Sequence, residues 1–356
     1  MKKFGFIIHP LDVSDIARKF PVSRFFSDRL LEKVLKVVPA FKASHITGIE
    51  SVKGVKAEGY FVCCPLTARQ MIELPTEEVI EKIIDAGRKA EELGAEIVGL
   101  GAFTSVVGDK GLTVAQNLNI PVTTGNSYTV ATALEGIRLA SDIMGIDMGK
   151  SNILIVGATG SIGKACSKIL ARDNKYLMLV ARREERLKEL ADELRTGYNV
   201  QVETGIDLNK LLPEADIVVT VSSSVDSLID VSLLKSGAIV CDIARPRDVA
   251  EEIALKRDDI LVIDGGIVEV PGEVEFNLNF GFPKGTSYAC MAETMILSLE
   301  GRYENYSLGA ELDLEKIIEI SNLADKHGFR LSSLRSLERE VTLQQVSKVR
   351  RIVSST

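Results

Sequence analysis

The segment ILIVGATGSIGKACSKIL constrains the fold of this chain more than any other part of its sequence. A strand-like apolar run ends at Val156, and an apolar helical pattern begins after three spaced glycines. Gly157 permits a tight turn, Gly160 lets the backbone approach a pyrophosphate, and Gly163 lets the helix pack closely on the strand. We therefore predict a dinucleotide-binding turn. Its contacts with the cofactor would come from Gly157, Ala158, Thr159, Gly160, Ser161, Ile162 and Gly163.

The strand that follows this turn ends in two cations. Arg182 and Arg183 come directly after the apolar run YLMLVA. An NAD-dependent enzyme usually carries an Asp or Glu here, which binds the ribose 2′-hydroxyl. Guanidinium groups instead suit a 2′-phosphate, with which they form charge-assisted hydrogen bonds. The sequence therefore predicts NADPH as the cofactor, although both arginines could also simply begin the solvated helix EERLKELADEL.

Small and polar residues follow three further apolar runs. Ser222 and Ser223 follow IVVTV, Asp242 ends AIVCD, and Gly265 and Gly266 follow ILVID. Ligands of parallel α/β sheets bind beyond the carboxyl ends of the strands. We therefore expect these residues to contact the nicotinamide half of the cofactor. Ordinary turn formation is the alternative role for each of them.

Strand-like and helical patterns alternate along almost the whole chain, which is typical of parallel α/β architecture. The fold class that this indicates is α/β with two domains and a set of terminal helices. We predict an N-terminal α/β substrate-binding domain over residues 1–148 and a Rossmann-like NADP-binding domain over 149–285. Residues 286–356 would form C-terminal helices that pack back on the domains and end in a basic tail.

Composition excludes several classes of function. Hydrophobic residues make up 46% of the 356 residues and charged residues 26%, which is ordinary for a globular enzyme. A net charge of −7 and the lack of basic stretches interleaved with aromatics argue against a nucleic-acid partner. The apolar runs are shorter than the roughly 20 residues of a membrane span, and the first is too short for a signal peptide. We expect a cytoplasmic protein.

The five cysteines do not follow a disulfide or metal-binding pattern, because their number is odd and they contain no C-x-x-C pair. We expect free thiols and no metal site. Cys290 differs from the others because a helical pattern begins near Thr286 or Ser287, which places it in or just after a first helical turn. The N–H groups of such a turn stabilise a thiolate, which can attack an acyl carbonyl. From this local pattern alone, a packed core cysteine remains the alternative.

Six motifs occur in order over the chain as far as about residue 330: FGFIIHPL, LGAFTSVV, TTGNSYTVA, IVGATGSIGKACSKIL, DGGIVE and YACMAETMILSLEG. Together they resemble the long-chain fatty acyl-(acyl carrier protein) reductases of cyanobacteria. The resemblance implies that Cys290 carries the acyl group as a thioester intermediate and that NADPH reduces it to a fatty aldehyde. It also implies that acyl carrier protein or coenzyme A delivers the substrate. A more distant resemblance, carried by CDIARPRDV, is to shikimate dehydrogenases and glutamyl-tRNA reductases.

Two turns rich in Gly, Ser and Thr follow strands in the first part of the chain. They supply Thr104, Ser105, Thr124 and Asn126, which could donate hydrogen bonds to a thioester carbonyl or a pantetheine arm. Helix capping is the alternative role for these residues. His9 lies at a strand end and is a weaker candidate for a group that faces the substrate, and no general acid can be named.

Two other functions fit parts of the sequence. A shikimate-dehydrogenase-like enzyme would act on a small hydroxy or amino acid without Cys290, and a regulatory module would bind NADPH without turnover.

Segments 14–45 and 325–356 each carry seven Lys or Arg against three Asp or Glu. Either segment could steer an acidic carrier protein or make a peripheral contact with an anionic membrane. A solvated helix face is the alternative for both.

Overall fold

The computed structural model describes residues 1–13, 15, 26–222, 229–244, 247–251, 256–278, 283–336 and 339–355. The strands are, in chain order, β1 Lys2–Ile8, β2 Phe41–Glu50, β3 Lys56–Cys63, β4 Val98–Leu100, β5 Val122–Thr123, β6 Ile153–Val156, β7 Tyr176–Val180, β8 Gln201–Gly205, β9 Ile217–Thr220, β10 Ile239–Asp242, β11 Leu261–Asp264, β12 Ile267–Glu269, β13 Gly272–Glu275, β14 Thr286–Tyr288, β15 Arg330–Leu331, β16 Arg335–Ser336 and β17 Arg339–Glu340. The α-helices are α1 Asp28–Val37, α2 Ala68–Glu73, α3 Thr76–Glu92, α4 Leu112–Gln116, α5 Asn126–Met144, α6 Ser161–Asp173, α7 Glu184–Tyr198, α8 Leu208–Leu211, α9 Ala289–Glu300, α10 Leu314–His327 and α11 Leu343–Ser355. Short 3₁₀ turns span Ala102–Ser105, Met148–Lys150, Leu212–Glu214 and Val231–Leu233.

The chain divides into two compact units. Unit 1 comprises Met1–Gly125, Glu269–Ala310 and Glu319–Arg330. Unit 2 comprises Asn126–Val268, Glu311–Ile318 and Leu331–Thr356. Each unit is therefore assembled from separate stretches of the chain.

Helix α5 belongs to unit 2, whereas the sequence patterns predict a boundary at residue 148, after this helix. Its residues Val130, Ala133 and Ile137 share one apolar core with Ile153 and Leu177 of the unit 2 sheet. Burial of this helix face, rather than its place in the sequence, decides the unit to which it belongs.

Unit 1 is built on a six-stranded mixed sheet with the order β13-β2-β3-β1-β4-β5. Strand β1 is parallel to β3 and β4, and β4 is parallel to β5. Strand β2 is antiparallel to β3 and β13. Within this sheet, β2 thus runs against the other five strands, and β2 and β13 extend one edge of the parallel core.

Helices α3 and α9 cover opposite faces of this sheet. A Cβ at Gly5 would lie 2.6 Å from the side chain of Ala90 in α3, and Gly5 pairs with Val98. The next residue, Gly99, points to the other face, where a Cβ would clash with the side chain of Thr294 in α9. Glycines on these strands therefore let both helices lie close to the sheet.

Unit 2 contains a six-stranded parallel sheet with the order β8-β7-β6-β9-β10-β11. Counted from β6, this is the 3-2-1-4-5-6 order of doubly wound nucleotide-binding domains. Ile153 and Ile155 enter one apolar core, whereas Leu154 and Val156 enter another. Burial on both faces accounts for the near-continuous apolar runs of these strands. The predicted α/β class with a Rossmann-like domain is confirmed.

Candidate functional site

The glycine turn of unit 2 joins β6 to α6 and is shaped by the backbone. Gly157 has a φ of 81°, which favours glycine, and the N–H groups of Gly157 and Ala158 donate to the carbonyl oxygen of Val180. A Cβ at Gly163 would lie 2.3 Å from the carbonyl oxygen of Gly157, so only glycine lets the helix come this close. A Cβ at Gly160 would have its nearest neighbour at 3.3 Å.

Helix α6 opens beside this turn with its first N–H groups directed outward from the helix end. Gly160 is the N-cap, Thr159 completes the turn, and Ser161 and Ile162 begin the helix. The N-terminal N–H groups and the helix dipole form a binding site for anions such as a pyrophosphate. The residues present therefore fit a dinucleotide, as the sequence predicts for this turn.

Both predicted arginines lie directly after β7, where a 2′-phosphate would bind in this fold. Arg182 and Arg183 are exposed, and Arg183 is the N-cap residue of α7. A surface depression of about 550 Å³ is lined by Arg183, Glu184, Glu185 and Arg186. The guanidinium groups are therefore accessible to a phosphate that approaches the carboxyl edge of the sheet.

Ser222, two residues after the end of β9, forms hydrogen bonds with a buried acid. Its N–H donates to Asp248 at 3.1 Å, and its hydroxyl donates to the same carboxylate. The Thr220 hydroxyl also donates to Asp248, which is fully buried. Asp248 thus holds the backbone at the end of β9, a role that the sequence analysis missed. Ser223, the neighbouring candidate, lies outside the described residues.

Asp242 lies at the end of β10 and is 1% exposed. One carboxylate oxygen accepts from the Ala244 N–H at 3.0 Å, and the other accepts from the Val249 N–H at 3.0 Å. Gly265 donates its N–H to the Asp242 carbonyl, and Gly266 has a φ of 74°. In the structure these three residues shape the loops at the carboxyl edge, and the Asp242 side chain is fixed internally.

Cys290 lies in the first turn of α9 and is half-buried. The helix begins later than predicted, because Thr286–Tyr288 is a strand and Tyr288 is the N-cap residue. Gly125 packs against the cysteine so closely that a Cβ there would lie 2.3 Å from the Cα of Cys290. Gly125 also has a φ of 73°. Both the conformation and the contact therefore require glycine beside Cys290.

Glu293, one helical turn after Cys290, anchors the surrounding loops. Its carboxylate is fully buried and accepts hydrogen bonds from the hydroxyls of Thr123 and Ser307, the latter at 2.7 Å. The Thr123 hydroxyl oxygen in turn accepts from the Gly125 N–H at 3.2 Å. The network runs from Glu293 through Thr123 to the glycine that contacts Cys290. The i, i+3 spacing within α9 was the only sequence signal for it.

The four residues predicted to bind substrate have different environments. The hydroxyls of Thr104 and Ser105 each donate to the carbonyl three residues earlier, at 2.7 Å, in the 3₁₀ turn after β4. Thr124 donates to the carbonyl of Ser307, which has a φ of 55° and is thus held in a strained conformation. Asn126 is buried at the start of α5, and its amide lies 3.5 Å from the Ser161 hydroxyl.

His9 is held in a neutral form by its neighbours. Its Nε2 accepts from the Phe103 N–H at 3.2 Å, so the proton lies on Nδ1, which donates to the Pro10 carbonyl at 2.9 Å. Burial lowers the pKa of His9 below its usual value. With both ring nitrogens engaged, His9 is a structural residue of unit 1.

Three of the other four cysteines differ from Cys290 in burial. Cys64, Cys166 and Cys241 are buried, and only Cys63 shares the half-buried state of Cys290. Burial raises the pKa of the Cys64 thiol and raises that of Cys166 to about 12. Neutral thiols are poor nucleophiles, so burial alone removes these two from consideration.

The described residues contain neither a metal-binding cluster nor a membrane-spanning helix. No group of three or more His, Cys, Asp and Glu side chains is placed to bind a metal ion there. No helix there has the combination of length and apolar character needed to cross a bilayer.

Two comparisons with known proteins match different lengths of this chain. The family model of shikimate/quinate 5-dehydrogenase matches residues 138–264, which lie within unit 2. The long-chain acyl-(acyl carrier protein) reductase of Synechococcus elongatus is 29% identical over 312 residues, which cover 83% of this chain and 87% of that protein. This chain is a distant homologue of that reductase. The resemblance inferred from the sequence motifs is thereby confirmed.

Two further relatives match this chain over part of their own lengths. PigE of Serratia sp., named an aminotransferase, is 33% identical over 362 residues, which cover 98% of this chain. The chain spans only 42% of the length of PigE. Glutamyl-tRNA reductase of Pasteurella multocida is 29% identical over 152 residues, or 40% of this chain and 35% of that enzyme. Together, the acyl-(acyl carrier protein) reductase homology and the dehydrogenase match support an NAD(P)-dependent oxidoreductase.

Proposed function

We propose that this chain uses NADPH to reduce a long-chain fatty acyl thioester to the aldehyde, through an acyl-enzyme on Cys290. The observation that carries the proposal is the placement of Cys290. It is half-buried in the first turn of α9, in a chain whose homology to an acyl-(acyl carrier protein) reductase extends over most of its length. First-turn N–H groups stabilise a thiolate at such a position.

Residues of unit 2 would hold the cofactor. The turn Gly157–Gly163 would bind the pyrophosphate with backbone N–H groups, and Arg182 and Arg183 would bind the 2′-phosphate. Ser222, Asp242, Gly265 and Gly266 would keep the carboxyl edge of the sheet in shape for the nicotinamide. Bound NADPH supplies the hydride for the reduction.

Cys290 carries the covalent chemistry. Its thiolate attacks the acyl carbonyl carbon, so that a new C–S bond forms and the bond to the carrier sulfur breaks. The carrier leaves as a thiolate and takes up a proton. When the reduced carbon becomes an aldehyde, its bond to Cys290 breaks and the sulfur leaves with the electron pair. One thioester, one NADPH and one proton thus give one aldehyde, one carrier thiol and one NADP⁺.

The residues expected to bind substrate take different roles in this proposal. Thr104, Ser105 and Thr124 donate their hydroxyl protons to backbone carbonyls, so we assign them to shaping the turns. Asn126 carries an amide that can donate to a thioester carbonyl. Glu293 keeps the turn beside Cys290 in place through Thr123. We expect the carrier to be acyl carrier protein or coenzyme A.

A second candidate is an NADP-dependent dehydrogenase of a small hydroxy acid. It is favoured by the match of residues 138–264 to shikimate/quinate 5-dehydrogenase. That match covers the nucleotide-binding part of the chain, which many dehydrogenases share. It does not involve Cys290, and the network around this cysteine would then have no chemical role.

Product analysis tests the proposal. The chain is incubated with palmitoyl-coenzyme A and NADPH, and the fatty aldehyde, free coenzyme A thiol and NADPH consumption are measured together. Equimolar amounts of all three are expected. NADP⁺ reduction with shikimate or quinate, without aldehyde formation from the thioester, would favour the second candidate instead.

A further inference from the structure

Helix α1 of unit 1 exposes a row of apolar side chains. The exposed fractions are 49% for Phe26, 46% for Leu30, 47% for Val34 and 77% for Val37. Leu30, Val34 and Val37 are spaced by four and three residues, which places their side chains along one face of α1, and Phe26 lies just before the helix begins at Asp28. An exposed apolar row of this length indicates a surface that contacts another body.

A basic row lies beside the apolar row. Arg29, Lys33 and Lys36 each precede a residue of the apolar row by one position, or about 100° around the helix. Arg29 and Lys33 are exposed, whereas Lys36 forms an ion pair with Glu78 at 2.9 Å. The outward side of α1 is thus apolar along one half and cationic along the other.

The remaining side of α1 packs against the rest of unit 1. Leu35 is buried, the Glu32 carbonyl accepts from the Gln70 amide at 2.9 Å, and Lys82 donates to the Val38 carbonyl at 3.2 Å. These contacts fix the helix orientation. The apolar and basic rows are therefore presented outward by a helix that is already anchored.

The basic tail offers no comparable surface among its described residues. Lys348 pairs with Asp258 at 2.6 Å and Lys326 pairs with Glu300 at 2.7 Å. Arg339 lies 3.9 Å from Glu251, and Arg335 is buried. Much of the tail charge is thus used within the protein. In segment 14–45, residues 14 and 16–25 lie outside the described residues.

We propose that α1 docks on an anionic lipid surface, with Phe26, Leu30, Val34 and Val37 inserted among the acyl chains. Arg29 and Lys33 would contact the lipid phosphates. An amphipathic helix that lies in the membrane interface combines an apolar face with basic residues in this way. An acidic soluble protein would account for the basic row alone. The proposal does not depend on the reaction catalysed at Cys290.

The chain contains no tryptophan, so the fluorescence of a single introduced tryptophan reports directly on insertion at that position. Leu30→Trp is mixed with vesicles of phosphatidylcholine alone or of equal parts phosphatidylcholine and phosphatidylglycerol. The emission should shift to the blue and be quenched by brominated lipid with the anionic vesicles. The control Ile206→Trp, at a 65% exposed apolar position of unit 2, should not respond. Equal responses at both positions, or none at Leu30→Trp, would overturn the proposal.

Vesicle flotation measures the contributions of the apolar row and the basic row separately. Leu30→Ser with Val34→Ser should lower the partition coefficient by roughly tenfold or more, and Arg29→Glu with Lys33→Glu should do the same. Ile206→Ser with Lys210→Glu is the matched control and should float like the wild type, and circular dichroism checks the fold of each variant. Vesicle binding that is unchanged in Leu30→Ser with Val34→Ser would contradict docking on a lipid surface. So would a wild-type protein that binds an acidic carrier protein but not vesicles.

Discussion

The nucleotide turn of unit 2 is shaped by backbone atoms of a short stretch of chain, with Gly157 and Ala158 donating to the carbonyl of Val180. The surroundings of Cys290 in unit 1 instead depend on polar side chains that are far apart in the sequence. Thr123 and Ser307 meet at the buried carboxylate of Glu293. A site that offers N–H groups to an anion needs little more than glycines and a helix end. A nucleophile that must attack a carbonyl needs neighbours whose positions are fixed by the tertiary fold.

The largest effect is expected from removal of the sulfur of Cys290. Cys290→Ala should reduce aldehyde formation by at least roughly 10³-fold, while NADPH affinity stays unchanged because the nucleotide turn belongs to unit 2. Cys63→Ala, at the other half-buried cysteine, is the matched control and should keep near-normal turnover. Initial rates and NADPH titrations measure both. Near-normal turnover of Cys290→Ala would rule out the covalent route.

Two substitutions in the glycine turn should separate an effect on packing from an effect on NADPH binding. Gly163→Ala places a Cβ 2.3 Å from a carbonyl oxygen, so it should lower stability by roughly 1–3 kcal/mol and weaken NADPH binding. Gly160→Ala places its Cβ 3.3 Å from the carbonyl oxygen of Gly157, a much milder contact, and its methyl group would meet a pyrophosphate bound at this turn. It should lower the melting temperature less than Gly163→Ala does and raise the NADPH dissociation constant by roughly tenfold. Unchanged NADPH affinity in both variants would mean that the dinucleotide binds elsewhere.

These two predictions differ in how far the sequence alone leads to them. The strand, the turn and α6 follow from local pattern, because Gly163 packs against Gly157 and Ala158 only a few residues earlier, and the positive φ of Gly157 is a property of the turn itself. The role of Glu293 could not be predicted, since its partners Thr123 and Ser307 are brought to it only by the folded sheet. The hydrogen bonds of Asp242 could not be predicted for a related reason. The pattern placed it correctly at a strand end, but both of its oxygens are used by the loop that follows.

The network around Cys290 can be tested through Glu293. Glu293→Leu removes the acceptor of the Thr123 and Ser307 hydroxyls, so the turn that carries Gly125 should loosen. The rate of Cys290 acylation should fall by roughly tenfold, in line with the 1–3 kcal/mol of an unsatisfied buried polar group. Glu293→Gln keeps a carbonyl acceptor and should restore most of the rate. Single-turnover acylation measures this. A glutamine variant as slow as the leucine variant would show that the negative charge matters, not hydrogen-bond acceptance.

A smaller effect is expected on cofactor choice. Arg182→Asp should weaken NADPH binding much more than NADH binding, because it removes a cation from the position that a 2′-phosphate would occupy. A charge-assisted contact contributes roughly 1.5–3 kcal/mol, which corresponds to tenfold or more. Dissociation constants for both cofactors give the ratio, and Arg172→Asp at the exposed C-terminal end of α6 serves as the control. An equal loss for both cofactors would count against phosphate recognition by Arg182.

The most direct test of the account is the intact mass of the protein after incubation with palmitoyl-coenzyme A in the absence of NADPH. The wild type and Cys63→Ala should each gain the mass of one palmitoyl group, which hydroxylamine removes and which NADPH releases as aldehyde. Cys290→Ala should gain none. A wild-type protein that stays unmodified, or an adduct that persists in Cys290→Ala, would contradict the acyl-enzyme on which the proposed function rests.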